Sequence, residues 1–226
     1  MKNSVEHARA LGRLLGKLSR YSTEHKADEL DSVGQLIHGF WAYDCTHARS
    51  GAAYRSMMGH FVDLNDLRVS DPAEVVSVVG DGYPQAYDRA IRMRQALNAV
   101  YKREHAVDLT RLKEKPKKEV RDYLDTLDGM VPYVSAVVTL LGFGGHGVPL
   151  DNQLFQKLKE DGVIERDATI EEAGAFLESH VSASDAVEAH KRLRAYVERR
   201  VKFTPPKPKA ASTKGKGKGR VSKKQG

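Results

Sequence analysis

Apolar residues recur every three or four positions through most of the chain, and each such run predicts a helix. Leu11, Leu14, Leu15, Leu18 and Tyr21 share one face of a first helix. A second is expected near Asp31–Trp41, capped by Asp31 and Ser32, and a third over Ser50–Phe61. Ser70-Asp71-Pro72 is a cap followed by a first-turn proline, so a short helix should start there and stop at Gly80. Tyr83–Tyr101 reads as long and amphipathic, with Tyr87, Ile91, Met93 and Leu97 inward. Lys115–Thr126 is charged, with Val120, Tyr123, Leu124 and Leu127 on one side. Asn152–Lys159, Thr169–His180 and Ser184–Val201 complete the set. No run alternates as a strand would and no fixed-period repeat is visible, so the expected fold class is all-α, with about ten helices.

The segment from Leu127 to Phe155 departs from this amphipathic pattern. Gly129 sits where a helix end favours a positive φ, and Pro132 suits the first turn of the next helix. Tyr133, Val134, Ala136, Val137, Val138, Leu140 and Leu141 make that helix apolar nearly all round, which predicts burial. Its N-terminus would still present N–H groups to an anion, and on DNA that anion would be a phosphate. An ordinary buried helical hairpin fits the same residues, and both readings stay open. Asp151 precedes the next helix as a favoured N-cap residue.

Composition narrows the classes. The 226 residues, 40% hydrophobic and 30% charged, suit one globular domain of good size or two small lobes with a shared core. No apolar run reaches the roughly 20 residues of a membrane span, and the N-terminal residues are charged throughout, unlike a signal peptide. An intracellular protein is the expectation: nucleoid-associated in a bacterium, nuclear in a eukaryote. The single cysteine, Cys45, excludes an intrachain disulfide and an all-cysteine zinc or iron–sulfur site. Nine histidines are scattered without ligand spacing, so neither metal nor cofactor is expected.

Charge is uneven along the chain. The net charge is +7, from 37 Lys and Arg against 30 Asp and Glu. Lys207, Lys209, Lys214, Lys216, Lys218, Arg220, Lys223 and Lys224 all fall within 204–226, which has no acid. Removing these eight leaves 29 basic against 30 acidic residues, a net of −1 for 1–203. This Pro-, Gly- and Lys-rich tail has almost nothing to bury and is expected to be disordered. It reads either as a non-specific phosphate-binding arm or as a solubilising or targeting terminus.

The layout of Leu127–Phe155 resembles the helix-hairpin-helix and aspartate segment of the endonuclease III-like (HhH-GPD) DNA glycosylases. That segment has the general form L-P-G-V-G-x-K-T-A-x-V-V, then a loop, then V-D-T-H-x-F. Leu127, Gly129, Val137 and Val138 fall in place, as do Phe143 and Gly144 in the loop, and Asp151 and Phe155 align without a gap. Gly82, Tyr83 and Ala90–Leu97 are similar to the preceding helix, and Ala189–Val201 to the last one. The resemblance covers roughly 5–203 and implies a two-lobed helical glycosylase fold. Residues 28–144 would form a six-helix barrel lobe, 1–27 with 145–203 a second lobe, and 204–226 the tail.

It also implies roles. Asp151 would be the catalytic carboxylate, stabilising an oxocarbenium-like sugar or activating the nucleophile after a base is flipped out. Gly129, Met130 and Val131 would form the DNA-binding turn. Tyr43, Asp44, His47 and Tyr83, near Trp41, would supply a wedge or stacking surface; a core role for these aromatics is the alternative. Departures matter as much. Tyr133 stands at the lysine that forms a Schiff base in lyase-competent members, and a phenol cannot be that amine. Val131 replaces the second hairpin glycine, and Asp128 puts a negative charge near the phosphate position. The implied function is a monomeric, monofunctional DNA glycosylase acting on double-stranded, damaged DNA. A catalytically inactive DNA-binding protein on the same fold and a helical protein-interaction module are the alternatives.

Overall fold

The computed structural model describes residues 4–21 and 30–205. The lysines and arginine of the tail, expected to be disordered and to contact DNA, lie outside these residues. Among the described residues there are eleven α-helices and no strand. They are α1 (Ser4–Leu18), α2 (Ser32–Ala42), α3 (His47–His60), α4 (Leu64–Val69), α5 (Pro72–Val79), α6 (Ala86–Glu104), α7 (Lys117–Asp125), α8 (Pro132–Val137), α9 (Asn152–Glu160), α10 (Ile170–His180) and α11 (Ala186–Glu198). The all-α expectation holds.

Caps set most boundaries. The side chains of Asp31, Thr46, Asp63, Asp71, Asp151 and Thr169 each accept a first-turn N–H of the helix that follows. Thr46 starts α3 three residues before the expected Ser50, and Asp63 starts α4, which the apolar spacing does not reveal. Helix α11 stops at Glu198 rather than Val201, and Arg200 turns left-handed (φ 49°). The inward face of α6 also needs correction. Tyr87 is 56% exposed, and the buried face is Ala86, Arg89, Ala90, Met93, Ala96, Leu97 and Val100. Small residues let α6 approach its neighbours, so the large ring is on the outer side.

Buried apolar side chains form two clusters. One gathers residues between Val33 and Phe143, from α2 through α8, around Phe40, Trp41, Met57, Met93 and Val134. The other joins both ends of the described chain, α1 with α9, α10 and α11, around Leu11, Leu14, Leu158, Leu177 and Tyr196. Burying each such large side chain stabilises the fold by about 1.5–3 kcal/mol. The clusters meet along α8 and its continuation, Val138–Gly142, which widens into a π-turn. Leu140 belongs to the second cluster, while Val137 and Val138 belong to the first. Helix α8 also lies close against α2, where a Cβ on Gly39 would come within 3.1 Å of Val134 Cγ1.

The turn joining α7 to α8 depends on one glycine. Gly129 has φ +75°, and a Cβ there would lie 2.5 Å from Arg92 O and 2.9 Å from Gln95 Cβ. Both backbone conformation and close approach exclude a side chain. Gly129→Ala is expected to destabilise the fold by about 2 kcal/mol or more, as a lower urea midpoint with unchanged slope.

Candidate functional site

Helix α2 ends at Ala42 inside the molecule, where its last carbonyls would be buried acceptors without donors. Two arginines reach them from opposite sides. Arg89 on α6, wholly buried, donates from Nε to Pro84 O, from Nη1 to Phe40 O and from Nη2 to Tyr43 O, each at 2.8 Å. Its guanidinium also stacks 3.8 Å from the Tyr43 ring centroid. Arg194 on α11 donates from Nη1 to Ala42 O at 3.1 Å and from Nη2 to Cys45 O at 2.8 Å.

The loop held between them meets the start of α9. Asp151 caps α9 through Oδ1, which accepts from Leu154 N at 2.8 Å, and its Oδ2 accepts from Asp44 N at 3.0 Å. Arg194 Nη1 lies 3.6 Å from that same oxygen. Asp44, in the left-handed region (φ 50°), reciprocates. Its carboxylate accepts from Gln153 N at 3.0 Å and Asn152 Nδ2 at 2.8 Å, and its carbonyl accepts from Gln153 Nε2. Two carboxylates therefore serve one helix N-terminus. Asp151 is only 7% exposed. Burial raises its pKa above the usual aspartate value, against the opposing pull of the Leu154 N–H, Arg194 and the Asp44 N–H.

Tyr133 completes the cluster. Its hydroxyl accepts from Arg194 Nη1 at 3.3 Å. Burial pushes its pKa up to about 12, although Arg194 pulls the other way, so the phenol stays protonated at neutral pH. Glu198 accepts from Arg194 Nη2 at 3.2 Å and from His47 N at 2.6 Å.

An open cavity of about 460 Å³ lies against this cluster, lined by Tyr43, Asp44, Val131, Pro132, Tyr133 and Asp151, among others. The structure thus gathers Asp151, Tyr133, Tyr43, Asp44 and one end of the hairpin turn. Gly129 and Met130 sit just before that end, and the Met130 N–H is engaged by Leu127 O at 3.1 Å. Val131 is extended (φ −117°, ψ 137°), so no left-handed strain arises where a glycine was expected to be needed. No side chain caps α8. Trp41 and Tyr83 are not at the cavity. Tyr83 is 6% exposed, packs edge-on to Trp41 with ring centroids 5.1 Å apart, and donates its hydroxyl to Trp41 O. His47 lies on the far side of Tyr133, its ring 6.1 Å from that of His38. Among the described residues no three His, Cys, Asp or Glu are placed to hold a metal.

Sequence reasoning missed Arg89, Arg194 and Glu198. A signal existed on α11: His190, Arg194 and Glu198 recur every four residues beside the apolar face of Ala189, Leu193 and Tyr196. Nothing comparable marks Arg89, a lone charge within an alanine-rich face.

No protein-family model matches the sequence, and comparison with curated proteins gives no significant match. Comparison of structures does. An endonuclease III trapped as a covalent intermediate with DNA superposes with a TM-score of 0.67 at 16% identity, covering 84% of this chain and 85% of that one. A thermostable thymine-DNA glycosylase gives 0.62 at 14% identity, over 87% and 88%. The Clostridium acetobutylicum 8-oxoguanine glycosylase/lyase, in complex with double-stranded DNA containing cytosine opposite 8-oxoguanine, gives 0.64 at 13% identity, over 88% and 71%. The chain has the fold of these DNA glycosylases.

Two outcomes follow from the clamp. Arg194→Met removes the side-chain donor of the Ala42 and Cys45 carbonyls and the ion-pair partner of the buried Asp151, and should destabilise the fold by about 3–5 kcal/mol, read from urea unfolding. His190, on the same face of α11, has its pKa lowered to about 3 by burial, then by the positive fields of Arg194, His38, His47 and Lys191. The unfolded chain takes up a proton near the ordinary value of 6.5 that the folded chain does not. Stability from the neutral imidazole is therefore complete above that value and is lost as pH falls through about 3. The loss reaches up to about 1.4 kcal/mol per pH unit. Denaturant titrations over this window should show a shallower loss in His190→Asn than in the parent chain.

Proposed function

We propose that the chain is a DNA-binding protein of base-excision repair and acts as a monofunctional DNA glycosylase. One observation carries this reading: a buried carboxylate, Asp151, stands at the start of α9 on a cavity that also includes the hairpin residues Val131 and Pro132. On a DNA glycosylase fold, that arrangement sets an anionic group beside a DNA-facing turn. Asp151 would stabilise the oxocarbenium-like sugar formed as the base departs, or accept a proton from the attacking water. A carboxylate with a raised pKa is the better proton acceptor. Tyr133 borders the same cavity and stays a phenol, so no Schiff base forms and no lyase step follows. Duplex DNA would rest on the uncapped N-terminus of α8, with the lysines of 207–224 adding affinity that salt screens.

A second reading has its own observation. Both oxygens of Asp151 already accept backbone N–H groups, as a purely structural cap would. On this reading the protein binds DNA without releasing a base.

A panel of duplex oligonucleotides with uracil, oxidised, alkylated or mismatched bases, followed by alkali, separates the two. The expected result is strand breakage on one class, lost by about a hundredfold or more in Asp151→Asn, with no covalent adduct on borohydride treatment. Binding without release on every substrate would establish the second reading. A trapped adduct would overturn the role given to Tyr133.

A further inference from the structure

One face of α10 lies open to the cavity beside Asp151. Glu171, Gly174, Ala175 and Glu178 recur at three- and four-residue spacing, so they form a single stripe of the helix, and all four line the cavity of about 460 Å³. A Cβ on Gly174 would meet nothing within 4 Å, and Ala175 is exposed. The middle of the stripe is therefore a shallow floor that a backbone can approach closely. Its two ends are acidic, with Glu171 and Glu178 two helical turns, or about 10 Å, apart.

The rest of the lining adds Asp44 and Asp151. Four carboxylates thus face one cation, Arg121, which already lies 3.2 Å from Asp125 and 3.5 Å from Glu178. Their summed field disfavours an anion inside the cavity and attracts a cation long enough to touch both ends of the stripe. The aromatic rings of Tyr43 and Tyr133 line the same space and add a weaker attraction for ammonium groups.

This chain carries a cation of that kind. Residues 204–226 hold eight basic side chains and no acid, against a net charge of −1 for the rest. Within them Lys214, Lys216, Lys218 and Arg220 alternate with glycines. In an extended chain alternate side chains point the same way, so this stretch would present four cations on one edge and a nearly bare backbone between them. The tether is long enough. Pro205 packs on Gly162, where a Cβ would lie 3.3 Å from the proline Cγ, just past the C-terminal end of α9. Asp151 caps the other end of that helix, whose nine residues span about 14 Å. The chain from Pro205 to Lys214 reaches up to about 30 Å.

We propose that the segment Lys214–Arg220 docks in this cavity in cis, pairing its ammonium groups with Glu171 and Glu178 over the Gly174–Ala175 floor, and covers Asp151 until duplex DNA draws the lysines away. Release by DNA rests on the repair function proposed above; the docking does not.

Partial trypsin digestion of the full chain at low salt reads the docking. Cleavage after Lys214, Lys216 and Lys218 is expected to be about three- to tenfold slower in the parent chain than in the double variant Glu171→Gln/Glu178→Gln, with cleavage after Lys223 and Lys224 unchanged. Sodium chloride at about 0.5 M should bring the parent to the rate of the variant. Carbodiimide treatment of the parent chain needs no variant and locates the contact. It condenses a carboxylate with a touching ammonium into an amide, with loss of water, and should join Lys214, Lys216 or Lys218 to Glu171 or Glu178 within one chain. Equal cleavage rates in parent and variant, or cross-links that run only to other carboxylates, would overturn the proposal. Cross-links between two chains would assign the cavity to the tail of a second copy and overturn docking in cis. Intrachain cross-links that persist in excess duplex DNA would overturn release by DNA and leave the docking standing.

Discussion

The arrangement depends on how the buried end of α2 is satisfied. A helix that stops in the interior presents carbonyl groups with no water to bond, and each unpaired one costs about 1–3 kcal/mol. Here the donors are guanidinium groups, from Arg89 on one side and Arg194 on the other. Arginine suits this place because its planar fork serves several acceptors at once and it does not lose its charge. Bringing that charge inside is itself unfavourable, so Arg194 needs carboxylates, and Asp151 and Glu198 supply them. A helix-end problem in one apolar cluster is thus solved partly by α6 of that cluster and partly by α9 and α11 of the other.

The same clamp makes Asp151 rigid and ambiguous. As an N-cap it holds α9 through Leu154 N, and through Asp44 N it holds the loop after α2. Those hydrogen bonds favour the ionised form, while burial opposes it and prevails. A group used only for capping gains nothing from burial, since exposed aspartates such as Asp63 and Asp71 cap equally well here. Placement of this carboxylate in a nearly closed site, on the edge of an open cavity, is the feature that capping does not explain. Preorganisation is what such rigidity provides: a carboxylate already fixed needs no reorganisation when charge develops beside it.

Local chemistry carried much of this into the sequence, and tertiary chemistry did not. Apolar spacing, together with caps such as Asp31, Asp71, Asp151 and Thr169, marked most helices, and Gly129 and Pro132 marked the hairpin. The two failures at helix starts, Thr46 and Asp63, were caps ahead of segments with weak apolar periodicity. Tyr87 was misplaced because periodicity rates a large ring above alanine, whereas close helix packing prefers alanine. Arg89 was illegible for a different reason: it is a lone charge on a buried, alanine-rich face, and its role depends on the carbonyls of Phe40 and Tyr43. The four-residue spacing of Arg194 and Glu198 on α11 was visible, but the carbonyls and carboxylate that Arg194 meets come from elements far away in the chain.

Tyr133 shows how these constraints fix a residue that first looked like a simple loss. It stands between two cavities, with Asp151 and Asp44 toward one, and His190 and Lys191 toward the other. A lysine reaching the position of its hydroxyl would set an ammonium beside Arg194, whose guanidinium lies 3.3 Å away. Two buried cations there would compete for carboxylates already committed to backbone N–H groups and to Arg194. An uncharged phenol avoids that repulsion and still accepts a hydrogen bond from the arginine. The arginine clamp and an amine nucleophile are therefore alternative solutions for this site. With Arg194 closing the end of α2, the uncharged phenol of Tyr133 is the side chain that this position accommodates without a second buried cation.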